Sequence, residues 1–335
     1  MRAVCFETAS WERRYLKRAL APHRLAVQLV ADPLTDETLR LASGAEILSV
    51  FIYSQLTARL LRRLPRLRFV ATRSTGFDHI DLTACRKRRI AVSNVPSYGE
   101  NTVAEHTFAL ILALSRNIHK AYVRTARADF SLDGLQGFDL KGKTLGVIGG
   151  GHIGLHVIKM AKGFGMEVLV CDVRRNLFLS EVMDFRYVPL AVLLRGADIV
   201  SLHVPSTPST HHLMNRQTFR LMKRGALLIN TARGGIVETD ALVWALDEGI
   251  VGGAGLDVLE GEELVKEERQ LLSQDFPKEK LVTALKNHIL LHRENVVITP
   301  HIAFDSREAL QRILETTVTN ITSFLSGAPV NRVST

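Results

Sequence analysis

Residues 144–154 read Thr-Leu-Gly-Val-Ile-Gly-Gly-Gly-His-Ile-Gly, and this stretch decides the fold. An apolar run of β-strand composition enters three glycines spaced G-x-G-x-x-G, and a helical pattern leaves them. In such a unit Gly149 makes the tight turn, Gly151 lets the backbone approach a pyrophosphate, and Gly154 lets helix and strand pack closely. The anionic phosphates lie at the helix N-terminus. The stretch therefore predicts a dinucleotide-binding unit.

A carboxylate completes this pattern one strand later. Residues 166–170 predict the next strand, and Asp172 stands just beyond it. A carboxylate there accepts hydrogen bonds from both ribose hydroxyls of an adenosine and repels the 2′-phosphate of NADP. Arg174 and Arg175 keep NADP as an alternative, because guanidinium groups bind phosphate. NAD is the predicted cofactor.

The composition is that of a globular protein with room for two domains. The chain has 335 residues, of which 46% are hydrophobic and 23% are charged. It has no uncharged apolar run of about 18 residues and no apolar run near Met1 long enough for a secretory signal, so we expect a cytoplasmic protein without a membrane span. Cys5, Cys85 and Cys171 are scattered and show no metal-binding spacing. We expect reduced cysteines and no metal ion.

The net charge of +9 is high, and basic residues cluster at 59–68 and 86–89. These clusters lie on helix-like stretches without interleaved aromatic residues or a recognisable nucleic-acid-reading motif. A solvated basic face that steers anionic substrates is the preferred interpretation, and no nucleic-acid partner is expected.

Strand-like and helix-like runs alternate along the chain, which favours parallel sheets covered on both faces. The first 94 residues contain five predicted strands, and the loop 73–78 after the fourth is a candidate wall of a ligand site. After Pro96 a single long helix is predicted at 101–128, leading into a second domain. The later predicted strands cover 199–204, 226–230, 252–256 and 296–299, and an amphipathic helix is predicted at 306–325.

Three kinds of reactive side chain follow strands in the second half of the chain. They are Arg233, a carboxylate cluster of Asp257, Glu260 and Glu262, and His301. The carboxyl ends of parallel strands meet at one edge of a sheet, so we expect these groups to converge beside the glycine-rich turn. A histidine exchanges protons near neutral pH, a carboxylate beside it favours its protonated form, and an arginine grips a carboxylate at two points. The set suits reduction of a 2-oxo acid.

Taken together, the motifs resemble those of the D-isomer-specific 2-hydroxyacid dehydrogenases along nearly the whole chain. Besides the glycine-rich turn with Asp172, the matching segments are 73–82, 101–106, 201–205, 230–234, 255–262 and 299–303. The resemblance implies two doubly wound α/β domains with an active-site cleft between them. Residues 1–98 with 305–335 form a flavodoxin-like substrate domain, and residues 99–304 form the Rossmann NAD-binding domain.

The resemblance also implies roles for individual residues. Arg233 holds the substrate carboxylate and polarises the carbonyl, His301 donates the proton, and Glu262 pairs with His301. Glu260 is the alternative partner of His301. The substrate-binding residues are Thr75, Gly76, Tyr98 and Arg233. The cofactor-binding residues are Val103, Gly149, Gly151, His152, Ile153, Gly154, Asp172, His203, Val204, Pro205, Thr210, Thr231, Ala232, Arg233 and Asp257; His203 is expected to make a strand-end hydrogen bond rather than to exchange protons.

Within the family the chain is most similar to D-lactate dehydrogenases. Tyr98 and the long segment of 38 residues between Glu262 and His301 favour them, whereas Phe304 departs from the tyrosine common there. We therefore expect NAD-dependent reduction of pyruvate by a homodimer. The alternatives are glyoxylate, hydroxypyruvate or a bulkier 2-oxo acid as substrate and, remotely, an NAD-sensing co-repressor.

Overall fold

The computed structural model describes residues 1–261 and 278–333. The chain forms two compact units. The first unit comprises Met1–Gly99 and Ser306–Thr335, and the second unit comprises Glu100–Asp305.

The helices and strands of the described residues alternate along most of the chain. The strands are β1 (Arg2–Cys5), β2 (Ala26–Leu29), β3 (Ile47–Val50), β4 (Phe69–Thr72), β5 (Ala91–Ser93), β6 (Thr144–Ile148), β7 (Glu167–Cys171), β8 (Arg186–Tyr187), β9 (Ile199–Leu202), β10 (Ala226–Asn230), β11 (Val251–Leu256) and β12 (Val296–Ile298). The α-helices are α1 (Ser10–Leu20), α2 (Ala58–Arg62), α3 (Leu82–Lys87), α4 (Glu100–Ser115), α5 (Ile118–Thr125), α6 (His152–Gly163), α7 (Leu177–Val182), α8 (Leu190–Gly196), α9 (Arg216–Phe219), α10 (Thr239–Asp247), α11 (Lys278–Leu291) and α12 (Arg307–Leu325). Among these helices, none has both the length and the apolar character that crossing a bilayer requires.

The first unit is built on a five-stranded parallel sheet in the order β2-β1-β3-β4-β5. This is the strand order of flavodoxin-like folds. Every residue of β3 and β4 is buried, as expected for central strands covered on both faces. The C-terminal helix α12 belongs to this unit, where the ring of Phe324 stacks on that of Phe69 with 4.5 Å between centroids.

The second unit is built on a seven-stranded parallel sheet in the order β12-β11-β10-β9-β6-β7-β8. Relative to its first strand, β6, this is the doubly wound order of dinucleotide-binding folds with a seventh strand added. The order reverses between β6 and β9, which pair directly. Ligands bind outside the carboxyl ends of the strands at such a switch point. The predicted fold class of two doubly wound parallel-sheet domains is confirmed.

The single long helix predicted at 101–128 is wrong, because two helices occupy this stretch. Helix α4 ends at Ser115 and α5 begins at Ile118. Between them Asn117 adopts a left-handed conformation, with φ of 51°. Asparagine tolerates this conformation better than most residues, and here its side-chain amide also donates to the Gln136 carbonyl at 3.1 Å. The helical pattern continues across the break, so periodicity alone did not reveal it.

The three cysteines are free, as predicted. Burial raises the pKa of Cys5 and of Cys85 to about 11, so both remain thiols at neutral pH. Burial also raises the pKa of Cys171. Because the thiolate is the reactive form, all three are poor nucleophiles.

Candidate active site

The glycine-rich turn joins β6 to α6 at the switch point of the second sheet. Gly149 has φ of +100°, and a Cβ there would lie 2.4 Å from the carbonyl oxygen of His203, so only glycine fits. A Cβ on Gly154 would lie 2.0 Å from the Gly149 carbonyl oxygen, because the helix packs directly on the turn. By contrast, a Cβ on Gly151 would meet no atom within 4 Å. Gly151 therefore borders open space in front of the helix.

The first turn of α6 has the features of an anion site. Gly151 is the N-cap residue and provides no side-chain hydrogen bond to the helix. His152 and Ile153 are the first helical residues, and His152 is exposed. The free N–H groups and the helix dipole favour a pyrophosphate at this end of the helix. The groups present thus fit a dinucleotide.

Asp172 lies beside this turn, directly after β7. Its Oδ2 accepts a hydrogen bond from the Gly150 N–H at 2.7 Å, and its Oδ1 accepts one from the Arg174 N–H at 2.7 Å. These bonds fix the carboxylate at the edge of the sheet. Each oxygen retains a second acceptor position, so both remain able to bind a ribose hydroxyl.

His203 directly follows β9, the strand that neighbours β6, and lies across the switch point from the turn. Its ring Nε2 is 2.8 Å from the Ser201 Oγ, and its backbone N–H donates to the Ile148 carbonyl at 2.7 Å. Burial lowers the pKa of His203 to about 3. The ring is therefore neutral at physiological pH and does not serve as a proton donor there.

The predicted cofactor contacts after His203 lie in a turn, and Thr231, which follows β10, contacts the helix α4. The Thr210 hydroxyl donates to the Pro205 carbonyl at 2.6 Å, which closes the turn. Val204 is partly buried. The Thr231 hydroxyl lies 3.0 Å from that of Thr107 on α4, one turn after the buried Val103.

Arg233 is held by a turn that Asn230 closes at the end of β10. The Asn230 side chain accepts from the Ala232 N–H at 3.0 Å and donates to the Arg233 carbonyl at 2.9 Å. The Arg233 guanidinium donates to the Ala232 carbonyl at 2.8 Å and is partly exposed. Sequence reasoning did not identify Asn230 as a site residue, although a polar residue that ends an apolar strand was the available signal.

His301 lies after β12 and has an uncommon backbone. Its φ is 57°, in the left-handed region that side-chain-bearing residues rarely adopt. Its N–H donates to the carbonyls of Asp257 and Thr299, each at 2.9 Å. The ring of Phe304 contacts the imidazole edge-to-face, with 6.4 Å between centroids. Surrounding contacts therefore hold His301 in place against its backbone preference.

The buried carboxylate of Asp257 organises the loop that carries His301. It accepts hydrogen bonds from the Thr299 hydroxyl at 2.5 Å and from the backbone N–H groups of Ile302 and Ala303 at 2.9 Å. Burial alone would raise the pKa of Asp257, but hydrogen bonds from His106, Thr299, Ala303 and Ile302 outweigh it and lower the pKa. The Asp257 carboxylate thus binds Thr299 before His301 and the backbone of Ile302 and Ala303 after it.

His106 is a second residue of this network that sequence reasoning left without a role. It lies on α4, and its Nε2 is 3.0 Å from the Thr299 Oγ1 and 3.5 Å from the Asp257 Oδ1. Because Thr299 donates to Asp257, its oxygen accepts from the His106 Nε2–H. The only sequence signal was a histidine in the polar first half of the α4 helix, and a lone histidine more often has a packing role than a catalytic one.

Of the two glutamates considered as partners of His301, Glu262 lies outside the described residues. Glu260 is described, and both its carboxylate oxygens are engaged elsewhere. Its Oε1 is 2.5 Å from the His212 Nε2, and its Oε2 accepts from the Thr239 N–H and hydroxyl at 3.1 and 2.9 Å. Burial would raise the pKa of Glu260, but these hydrogen bonds lower it. The choice of Glu262 remains a prediction.

In the first unit, the loop after β4 presents two backbone donors. Among the described residues, no protein group accepts a hydrogen bond from the N–H of Thr75 or of Gly76. The loop is fixed by the Thr75 hydroxyl, which donates to the Val95 carbonyl at 2.8 Å, and by the Asn94 amide, which donates to the Thr75 carbonyl at 2.8 Å. Tyr98 is partly buried, and its carbonyl accepts from Arg312.

The loop 73–78 was interpreted as a wall of a ligand site, but Arg73 does not contribute to such a wall. Its side chain is 1% exposed and donates to the carbonyls of Phe6 and Glu7, each at 2.8 Å. It also donates to the Ser49 hydroxyl at 3.1 Å. A fully buried guanidinium with these partners ties neighbouring strand ends together.

Comparison with known proteins agrees with this geometry. Residues 108–303 match the model of the D-isomer specific 2-hydroxyacid dehydrogenase NAD-binding domain. The chain is 34% identical to the D-lactate dehydrogenase of Escherichia coli over 98% of both chains, and 38% identical to the glyoxylate reductase of Thermofilum pendens over 88% of this chain and 83% of that one. A solved D-lactate dehydrogenase from Aquifex aeolicus, complexed with NAD and lactic acid, superposes with a TM-score of 0.88 at 38% identity, covering 99% of this chain and 100% of that one.

These matches extend over nearly the whole chain and agree with the cofactor predicted from the glycine-rich turn and Asp172. The chain belongs to the D-isomer-specific 2-hydroxyacid dehydrogenase family and is an NAD-dependent enzyme of that family.

Proposed function

We propose that the enzyme reduces pyruvate to D-lactate with NADH and catalyses the reverse reaction. The similar proteins from Escherichia coli and Aquifex aeolicus are D-lactate dehydrogenases, and the latter was solved in complex with NAD and lactic acid. The observation that carries the proposal is the His301 loop, which the Asp257 carboxylate fixes in a left-handed conformation. Strain of this kind persists where function requires a fixed geometry.

Arg233 and His301 have separate tasks in the proposed reaction. They follow β10 and β12, the strands on either side of β11 in the sheet. The guanidinium of Arg233 binds the substrate carboxylate at two points, and its charge polarises the neighbouring carbonyl. His301 donates a proton to the oxygen on C2 as that oxygen becomes a hydroxyl. In the reverse reaction the same imidazole removes this proton.

Bound NADH supplies the hydride that C2 receives. The first turn of α6 at Gly151, which has no Cβ, would hold the pyrophosphate, and the Asp172 carboxylate would accept hydrogen bonds from the ribose hydroxyls. Thr75, Gly76 and Tyr98 remain the proposed substrate-binding residues of the first unit. Glu262 pairs with His301 and favours its protonated form.

A second candidate substrate is glyoxylate, because a glyoxylate reductase is as similar in sequence to the chain as the solved D-lactate dehydrogenase. The test measures kcat/KM with NADH for pyruvate, glyoxylate, hydroxypyruvate, phenylpyruvate and 2-oxoisocaproate. We expect the highest value for pyruvate. A higher value for glyoxylate would transfer the assignment to that substrate, and turnover of none of them would reject these five substrates.

Arg233→Lys tests the carboxylate clamp in the same assay. Lysine keeps the charge but loses the planar two-point grip, so KM for pyruvate should rise and kcat should fall. NADH affinity should remain close to that of the wild type. A variant that lost NADH affinity alone would remove Arg233 from the substrate site.

We also propose that the enzyme is a homodimer formed through α5 and the loop after it. The α5 helix has no buried residue, and Tyr122, Phe130 and Leu132 are 72%, 77% and 82% exposed. Large apolar side chains exposed on a short stretch of chain favour an interface, and two-fold dimers are the commonest assembly. Sedimentation equilibrium should give twice the chain mass, and Leu132→Glu should lower the association constant. A monomeric wild type would reject the dimer.

A further inference from the structure

A group of metal-ligating side chains lies outside the site described above. The ligand atoms of His211, His212 and Glu260 all lie within 4.8 Å of one another. His212 and Glu260 are partly exposed, and His211 is exposed. The two histidines are adjacent in sequence and the glutamate follows 48 positions later, so no sequence spacing revealed the group. We propose that these three residues form a binding site for a divalent transition-metal ion.

The backbone brings the two imidazoles to the same side. His212 has φ of 51°, in the left-handed region, whereas consecutive side chains of extended backbone point to opposite sides. The rings of His211 and His212 are tilted by 32° with 3.9 Å between centroids. The His212 conformation is fixed by its N–H, which donates to the Gly235 carbonyl at 2.9 Å, and by its carbonyl, which accepts from Asn215 at 3.0 Å.

The spacing of the ligand atoms suits a metal ion. Metal–ligand bonds of about 2.0–2.1 Å in a tetrahedral site place ligand atoms about 3.3 Å apart. The present separations bracket this value, because His212 Nε2 and Glu260 Oε1 are 2.5 Å apart and no pair of ligand atoms exceeds 4.8 Å. A small opening of the His212–Glu260 pair admits the ion. The exposure of His211 leaves a path for entry and room for a water ligand.

The carboxylate is already oriented for this role. Its Oε2 accepts two hydrogen bonds from Thr239, which leaves Oε1 facing the imidazoles. Hydrogen bonds of this kind to a ligand's second atom orient it and typically raise metal affinity. The chemistry of the ligands selects the ion: two imidazoles and one carboxylate suit Zn²⁺ and its neighbours in the first transition row, and not Mg²⁺ or Ca²⁺, which prefer oxygen ligands.

Binding at this site is mechanically connected to the turn that follows Arg233. The Gly235 carbonyl accepts a hydrogen bond from the backbone N–H of His212. Gly234 packs closely on Leu259, the residue before Glu260, because a Cβ on Gly234 would lie 2.0 Å from the Leu259 carbonyl oxygen. Separating His212 from Glu260 therefore shifts both supports of this turn. We therefore expect Zn²⁺ to raise KM for pyruvate. This expectation rests on the proposed role of Arg233 in binding the substrate carboxylate.

The test compares three purified full-length proteins: wild type, His211→Gln and a control, His288→Gln. The His211 ring is exposed, and within the described parts of the chain it makes no side-chain hydrogen bond, so its replacement should leave the fold intact. His288 is an exposed histidine on α11, with its ring 4.3 Å from that of His292. Zn²⁺ binding is measured by equilibrium dialysis, and Co²⁺ absorption spectra report the ligand geometry.

We expect the wild type and His288→Gln to bind one Zn²⁺ per chain with equal affinity. His211→Gln should bind at least about tenfold more weakly, because one of three ligands is lost. Co²⁺ should give a tetrahedral spectrum with the wild type and with His288→Gln, but not with His211→Gln. Absence of Zn²⁺ binding by the wild type, or equal affinity in His211→Gln, would overturn the site. Binding without any effect on KM would overturn its connection to Arg233 and leave the proposed function untouched.

Discussion

Replacing Asp257 with asparagine should destabilise the second unit and slow catalysis together. The carboxylate accepts from Thr299 and Ile302 through Oδ1 and from Ala303 through Oδ2. An asparagine oxygen can replace Oδ1, but the amide nitrogen then faces the Ala303 N–H. Two donors meet in a buried position, and neither has an acceptor.

The magnitude follows from these contacts. An unsatisfied buried donor costs about 1–3 kcal/mol, and loss of the charge weakens the remaining bonds, so we expect a total of about 3 kcal/mol. For a unit of this size each kcal/mol lowers Tm by about 2–4 °C, which gives a decrease of about 6–12 °C. His301 is the residue whose backbone the loop constrains, and a displacement of about 1 Å lowers kcat by about 100-fold.

The stability difference should depend on pH in one direction. The pKa of Asp257 is lowered in the folded protein, so its contribution is fully present above its unfolded value of about 3.9 and is lost as pH falls through the lower folded value. The difference in unfolding free energy between wild type and Asp257→Asn should therefore be constant near neutral pH. It should become smaller in acid. Urea unfolding at several pH values measures it.

Asp198→Asn is the matched control for this variant. Asp198 also has a lowered pKa and accepts from the Thr144 N–H at 2.8 Å and from Lys223 at 3.0 Å. It precedes β9, at the edge of the sheet opposite to His301. This variant should lose stability and keep kcat. If Asp257→Asn keeps wild-type kcat, or if the two variants slow catalysis equally, Asp257 does not position His301.

Three further predictions concern the cofactor and the partner of His301. Gly151→Ala should raise the Kd of NADH about tenfold or more, because its Cβ fills the open space in which the pyrophosphate would bind. The control is Gly163→Ala, whose Cβ also meets no atom within 4 Å and which should leave the Kd of NADH unchanged. Equal effects of the two substitutions would reject Gly151 as the position of the phosphates. Asp172→Ala should raise the Kd of NADH and increase the ratio of NADPH to NADH turnover, and a wild type that prefers NADPH would contradict the role of Asp172. Glu262→Gln should move the decline of pyruvate reduction with rising pH to lower pH, whereas Glu260→Gln should leave it in place, and the reverse result would assign the pairing to Glu260.

The fold class was predictable from sequence because local signals agreed with the global arrangement. The glycine at position 149 is required by a tight turn after an apolar strand, and the carboxylate of Asp172 by ribose hydroxyls. The Asp172 carboxylate lies beside the glycine turn. The break at Asn117 was not predictable from periodicity, because a single left-handed residue stops a helix without changing the apolar pattern on either side.

The positions of Arg233 and His301 after strands were predictable, whereas the hydrogen bonds around them were not. Arg233 and His301 follow strands, where parallel topology gathers side chains at one edge. The hydrogen bonds of Asp257 and His106 join residues far apart in sequence, and no spacing rule connects them. Those of Asn230 are local, to Ala232 and Arg233. The left-handed backbone of His301 likewise depends on tertiary contacts. Such information resides in three-dimensional packing and not in local pattern.

The most direct test of the proposed catalytic role of His301 is the rate and configuration of the product formed from pyruvate and NADH. The wild type should form D-lactate alone, as measured by chiral chromatography. His301→Gln should lower kcat by about 100- to 10,000-fold, the usual contribution of a general acid, while the Kd of NADH stays close to the wild-type value. Formation of L-lactate would contradict the proposed reaction, and a kcat in His301→Gln equal to that of the wild type would contradict the proposed role of His301.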